Sequence, residues 1–167
     1  MNISYINDKY KSIADDFINS YFGVNCELIY TPIRKECDNC IFDTLGHKSS
    51  NIYNGVGPQP FSEGLCPYCF GIGFKLQQIT EIIKLRVNWS PKPGIKGVPV
   101  NIPENAIQII GFLSDLPKVL RCASININSE QTAYNTWTYI PVGEAITTGL
   151  GNDRYFALIL QRGINDV

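Results

Sequence analysis

Residues 37–74 read CDNCIFDTLGHKSSNIYNGVGPQPFSEGLCPYCFGIGF, and their reading decides the fold. Four of the six cysteines lie here as two CxxC pairs, Cys37/Cys40 and Cys66/Cys69, in the pattern C-x2-C-x25-C-x2-C. A CxxC turn sets two thiolates about one tetrahedron edge apart. Two such turns complete a four-cysteine zinc site with Zn–S bonds of about 2.3 Å. Pro67 stiffens the second turn. Gly71 and Gly73 are expected to let backbone amides come close to the sulfurs and stabilise their charge. Four sulfur ligands leave no open coordination position, so the expected metal is structural zinc with no catalytic role. The residues between the pairs are rich in Gly, Pro, Ser and Asn and carry little core of their own. A bound zinc supplies on the order of 10–16 kcal/mol of apparent folding energy to such a segment.

Two other uses of paired cysteines fit less well. A thioredoxin-like redox site expects a single CxxC at a strand-to-helix junction. Disulfides belong to oxidising compartments, whereas the start MNISYINDKYK lacks the basic-then-apolar pattern of a signal peptide. Synthesis in a cytoplasm is therefore expected. His47, the one histidine, is expected to be a solvated loop residue because four better ligands are at hand. Cys26 and Cys122 sit in apolar strand contexts and read as core cysteines.

On the N-terminal side, residues 7–22 place Tyr10, Ile13, Ala14, Phe17, Ile18 and Tyr21 on one stripe at helical period. Asn7 suits the N-cap and Gly23 the stop. The stripe is expected to pack on its own domain, with docking on a neighbouring subunit as the minority reading, leaving Asp15 and Asp16 on the polar face. Residues 25–30 read as a short strand. On the C-terminal side, segments 80–89, 106–114, 119–127, 135–142 and 154–162 are β-branched and apolar, with turn material between them. No helical pattern separates these strands, which predicts a mainly β fold: a small antiparallel β-barrel or sandwich with an N-terminal amphipathic helix and an inserted zinc-knuckle loop. The expected organisation is 1–35 for helix and first strand, 36–75 for the four-cysteine insertion and 76–167 for the barrel portion, all within one structural domain.

The loop 88–105 is too rich in proline for a central strand. It is expected to bind partners, with Lys92, Pro93, Lys96 and Pro99 as contact residues. The net charge of -1 gives no overall attraction to DNA or an anionic membrane. Charge is uneven, however. Residues 1–44 are net acidic, and residues 84–96 carry Lys84, Arg86, Lys92 and Lys96 without an acid, so copies of the chain could dock head to tail. No segment approaches the ~18 apolar residues of a membrane span.

A Ser/His/Asp triad is hard to build around one loop histidine, and no phosphate-binding loop follows a strand. The chain is therefore expected not to be an enzyme. Tyr53, Phe61, Tyr68, Phe70 and Phe74 could stack on bases, but the segment lacks the basic groove of a nucleic-acid binder. These rings are expected to form a miniature core around the knuckles.

Two resemblances rest on these residues. CPYCFGIGF resembles one CxxCxGxG repeat of the DnaJ-type chaperone zinc finger. CDNC lacks the following GxG, so chaperone function is not carried over. More of the chain is covered by a second likeness: the amphipathic helix, CDNC, the run TLGHKSSNIYNGVGPQPFSEGLCPYCFGIGF, then a strand-rich half closing on GNDRYFALILQR. This order resembles small virion proteins of tailed phages, of the neck or head-closure type. The likeness implies a ring of identical subunits in the virion neck, between portal or adaptor and tail proteins. It also implies DNA passing through without sequence-specific binding, and it carries over Cys37, Cys40, Cys66 and Cys69 as metal ligands. A zinc-ribbon nucleic-acid module and a chaperone-like adaptor are the alternatives.

Overall fold

The computed structural model describes residues 10, 13, 15–17, 21–93, 101–127, 137–148 and 154–163. Six of its strands close an antiparallel barrel: β1 (Gly23–Tyr30), β6 (Thr80–Asn88), β7 (Ala106–Phe112), β10 (Tyr155–Arg162), β9 (Trp137–Thr148) and β8 (Cys122–Ile127), in that order around the wall. Strand β8 pairs back onto β1, with Cys26 opposite Ile127, and this closes the sheet. Closure removes the exposed edges that a six-stranded open sheet would leave.

Alternation fills the interior. Cys26 and Leu28 of β1, Ile83 and Leu85 of β6, Ile107 and Ile109 of β7, Ile125 and Ile127 of β8, Tyr139 of β9, and Phe156, Leu158 and Leu160 of β10 form one buried cluster. Strand β10 is buried on both faces, because Ile159 packs outward against Ala106 and Ile102. Burial pushes the thiols of Cys26 and Cys122 up to about 12 and about 11, as suits inert core cysteines.

Two strand expectations shift. Residues 119–121 are not strand: a 3-10 turn (Leu113–Asp115) leads into a short helix α1 (Leu116–Arg121), with Pro117 in its first turn. Proline there costs no hydrogen bond, and Leu, Lys and Arg are good helix formers. Strand β9 runs on past Pro141 to Thr148. It pairs with β8 only at Trp137–Tyr139, so at Pro141 the strand has β10 alone as a neighbour and the missing N–H breaks no ladder.

Contacts divide the chain into two compact units, one of residues 1–30 with 80–167 and the other of Thr31–Ile79. The second unit is inserted between β1 and β6, which are paired neighbours with Ile29 opposite Thr80. The chain therefore leaves and re-enters the barrel at adjacent points, and a long insertion there costs little closure entropy. Within it, β2 (Ile33–Glu36) pairs with β5 (Phe74–Gln77), and β3 (Cys40–Asp43) pairs with β4 (Lys48–Tyr53).

In the N-terminal stretch, the described residues 10, 13, 15–17, 21 and 22 have helical backbone. Asn7, Ala14 and Ile18 lie outside the described residues. The described residues of the stripe face the opposite way from the sequence expectation. Tyr10, Ile13, Phe17 and Tyr21 are all more than half exposed, whereas Asp15 is buried at 7%. Asp15 is ion-paired with Arg154 and accepts a hydrogen bond from the Tyr155 hydroxyl. A buried carboxylate needs such partners, and both sit at the start of β10. Asp16 is exposed, as expected.

Candidate metal centre

The inserted unit has almost no apolar core. Its buried cluster is the four cysteines, with Phe61 and Tyr68 packed against them. Strands β2 and β5 deliver the two knuckles together: directly after the β2–β5 ladder, Cys37 N–H donates to Gly73 O at 3.0 Å. Cys37 and Cys40 flank one turn. The other closes with Phe70 N–H on Cys66 O at 2.8 Å and Ile72 N–H on Cys69 O at 3.1 Å.

All four sulfurs lie within 4.8 Å of one another. Cys37 Sγ is 3.9 Å from Cys66 Sγ, and Cys40 Sγ is 3.7 Å from Cys69 Sγ. The edge of a tetrahedron with metal–sulfur bonds of ~2.3 Å is about 3.8 Å, so the cluster fits a tetrahedral four-thiolate ion. All six cysteines are free thiols. His47 stands apart from the cluster, exposed in the β3–β4 turn with φ 48°.

Each sulfur also meets at least one hydrogen-bond donor. Asn39 N–H points at Cys37 Sγ (3.4 Å), the Ser49 hydroxyl at Cys40 Sγ (3.0 Å), Asn39 Nδ2 at Cys66 Sγ (3.5 Å) and Gly73 N–H at Cys69 Sγ (3.3 Å). Donors aimed at all four sulfurs suit thiolates that share a cation, because each donor withdraws part of the surplus negative charge. Burial raises the Cys37 thiol and pushes that of Cys40 up to about 12. At Cys66 burial acts the same way, but the Asn39 amide and the backbone N–H groups of Cys69 and Tyr68 outweigh it and bring the thiol down to about 6.

Gly73 behaves as expected. Its φ is +88°, and a β-carbon there would lie 2.5 Å from the backbone of Lys48 and Ser49. Gly71 instead uses its carbonyl, accepting Ser49 N–H at 3.2 Å. The expected miniature core is partly realised. Tyr53 meets Phe61 edge-on at 6.1 Å and donates its hydroxyl to Gly57 O, and Lys75 Nζ lies over the Tyr68 ring. Arg34 lies over Phe74. Phe70 is the exception. It is 75% exposed and held at φ 53°, a left-handed conformation that a bulky residue adopts only at a cost.

The sequence reading missed Asn39, Ser49, Asn51 and Gln59, which hold the site from outside the ligand set. Asn51, itself at φ 57°, accepts Cys66 N–H on its side chain. The asparagine inside CDNC was the one available signal, since an amide between two ligands has a sulfur within reach. Of the expected partner contacts, Lys92 and Pro93 are exposed beyond β6, and Lys96 and Pro99 lie outside the described residues. Among the described residues, no helix is long and apolar enough to cross a membrane. No family model, curated protein or solved structure matches this chain.

Proposed function

We propose that this protein is a non-enzymatic assembly subunit whose inserted unit is folded around one zinc ion held by Cys37, Cys40, Cys66 and Cys69. Four thiolates select soft tetrahedral ions, and zinc is the redox-silent member of that class. The setting we propose is the neck of a tailed-phage virion. There the subunits form a ring that closes the head, between portal or adaptor and tail proteins, and DNA passes through without sequence-specific contacts. Host-cytoplasmic synthesis accords with six reduced cysteines.

The observation that carries this reading is the orientation of the N-terminal helical stretch. Tyr10, Ile13, Phe17 and Tyr21 face out while Asp15 is anchored inward by Arg154 and Tyr155. Apolar stripes of this kind mark protein contacts. Ten further large apolar side chains are exposed on the inserted unit, among them Leu45, Val56, Leu65 and Phe70. That unit carries four basic side chains (Arg34, Lys35, Lys48 and Lys75) and four acidic ones (Glu36, Asp38, Asp43 and Glu63). Such a balance favours apolar protein partners over phosphate backbones.

Native mass spectrometry of the purified protein, with metal analysis, tests the proposal. One zinc per chain in an oligomer of fixed stoichiometry is the expected result. A zinc-loaded monomer that retains nucleic acid in a salt-dependent manner overturns it in favour of a nucleic-acid module. Affinity of the monomer for unfolded chains overturns it in favour of a chaperone-like adaptor.

A further inference from the structure

Asn39 is fully buried between the two knuckles. Its backbone N–H reaches Cys37 Sγ at 3.4 Å, and its side-chain Nδ2 reaches Cys66 Sγ at 3.5 Å. These sulfurs belong to different CxxC pairs and lie 3.9 Å apart. The same Nδ2 donates to Gln59 O, and Oδ1 accepts Gln59 N–H, each at 2.7 Å. The Asn39 carbonyl accepts Asn54 N–H at 3.3 Å. Asn54 in turn accepts the N–H groups of Val56 and Gly57 on its side chain, at 3.0 and 2.8 Å. Gly57 lies so close that an added β-carbon would stand 2.5 Å from Asn39 Cα and 2.6 Å from Oδ1. One amide side chain thus ties the ligand sulfurs to the loop of residues 54–59, which has no regular strand or helix of its own.

We infer that Asn39 is the positioning residue of the metal centre: it spans the two knuckles through Cys37 and Cys66, and it couples the order of residues 54–59 to the bound ion. The inference rests on the four cysteines holding a metal. Its two donors draw charge from two of the four thiolates. Without the side-chain donor, the Cys66 sulfur keeps only the backbone N–H groups of Cys69 and Tyr68 and becomes a stronger electron donor carrying more uncompensated charge. An aspartate of the same shape would set an acceptor against both that thiolate and the Gln59 carbonyl. Outer partners of this kind change metal affinity by about 10–100-fold. The carboxylate is expected to cost more than simple removal.

The test uses the full chain as wild type, Asn39→Ala, Asn39→Asp and Gly57→Ala. The last variant displaces Asn39 without altering a ligand or a donor. Zinc affinity is read by competition with a chromophoric chelator. The sulfur-to-cobalt charge-transfer band is read after substitution with Co2+, and hydrogen exchange reports on the Gln59 and Gly57 amides with and without metal. Expected are a 10–100-fold loss of zinc affinity in Asn39→Ala, a larger loss in Asn39→Asp, and a charge-transfer band moved to lower energy. The 54–59 amides of the wild type should be protected only in the metal-bound form. A residue that merely filled space would lower folding yield without moving the band. A wild type that binds no metal overturns the metal centre itself. A wild type that binds one ion, beside a folded Asn39→Ala with threefold-unchanged affinity and an unmoved band, overturns the role of Asn39 alone. Should Asn39→Ala fail to fold, Gly57→Ala decides by the same two readouts.

Discussion

Phe156 lies directly opposite Gly111 in the β10–β7 ladder, and its ring fills the space that a side chain at 111 would need. A β-carbon there would stand 2.6 Å from Leu85 Cδ2 and 2.7 Å from the Phe156 ring. The barrel interior is narrow, so one large ring is accommodated by one absent side chain across the wall. Gly111→Ala should therefore overpack the core and destabilise the barrel by about 1–3 kcal/mol. Phe156→Ala should leave a cavity and cost about 3–5 kcal/mol. Chemical denaturation of each variant measures both. A Gly111→Ala protein as stable as wild type would mean that the ring has room to move.

Removal of the metal should separate the two units. The barrel owns its core, whereas the inserted unit buries little besides cysteines. Cys66→Ser with Cys69→Ser should abolish binding of the single ion and expose the amides of residues 36–74 to exchange, while the barrel amides stay protected. A chelator should do the same to the wild type. Acid should act in the same direction, because protons compete with metal for thiolates. Retention of one full equivalent of zinc by the double variant would refute the ligand assignment.

Much of this was legible in the sequence, for identifiable reasons. The cysteine spacing is a covalent pattern that later packing cannot shift. The barrel strands announce themselves through apolar alternation, as in Ile83 and Leu85 or Ile107 and Ile109. What failed was anything that depends on a distant partner. Periodicity located a stripe on the N-terminal stretch but could not say which way it points. That is set by Arg154 and Tyr155, some 140 positions from Asp15. Residues 119–121 read as strand in the sequence because the helix spans only Leu116–Arg121, too few residues for a 3.6-residue period to show. The supports of the metal centre, Asn39 and Ser49, look like ordinary loop polar residues until the fold brings them against sulfur.

Glu81 links the start of β6 to α1 and predicts a pH dependence. Its carboxylate accepts from Lys118 Nζ at 2.5 Å and from the Tyr30 hydroxyl at 3.0 Å. The Lys118 contact, followed by Tyr30, holds it below the ordinary value of 4.5. A carboxylate lowered in the folded state stabilises fully above its unfolded value. That contribution is lost as pH falls through the folded one. Glu81→Gln should therefore narrow the stability difference between pH 6 and pH 3, measured by thermal melting against wild type. The metal centre is common to both proteins, so its own acid sensitivity cancels. Parallel melting curves across that range would show that the contact contributes nothing measurable, as many exposed pairs do not.

Asp15 and Ile13 stand two positions apart, on opposite sides of one helical stretch, and they should respond in opposite ways. Asp15 is buried against Arg154 and Tyr155, with Arg86 over the same Tyr155 ring. Asp15→Ala leaves the Arg154 cation without its partner. It should destabilise the folded chain by roughly 1.5–3 kcal/mol, the range for hydrogen bonds to charged groups, and no more, because Arg154 is partly open to water. Ile13 is 55% exposed, and Ile13→Ser should change monomer stability by no more than about 0.5 kcal/mol. If the stripe meets a second copy of the chain, Ile13→Ser and Tyr10→Ser should nonetheless shift the oligomer toward monomer in native mass spectra. Denaturation below the dissociation concentration separates the two effects. A large stability loss from Ile13→Ser in the isolated monomer would place the stripe against its own barrel, and an assembly role for this face would then have no support.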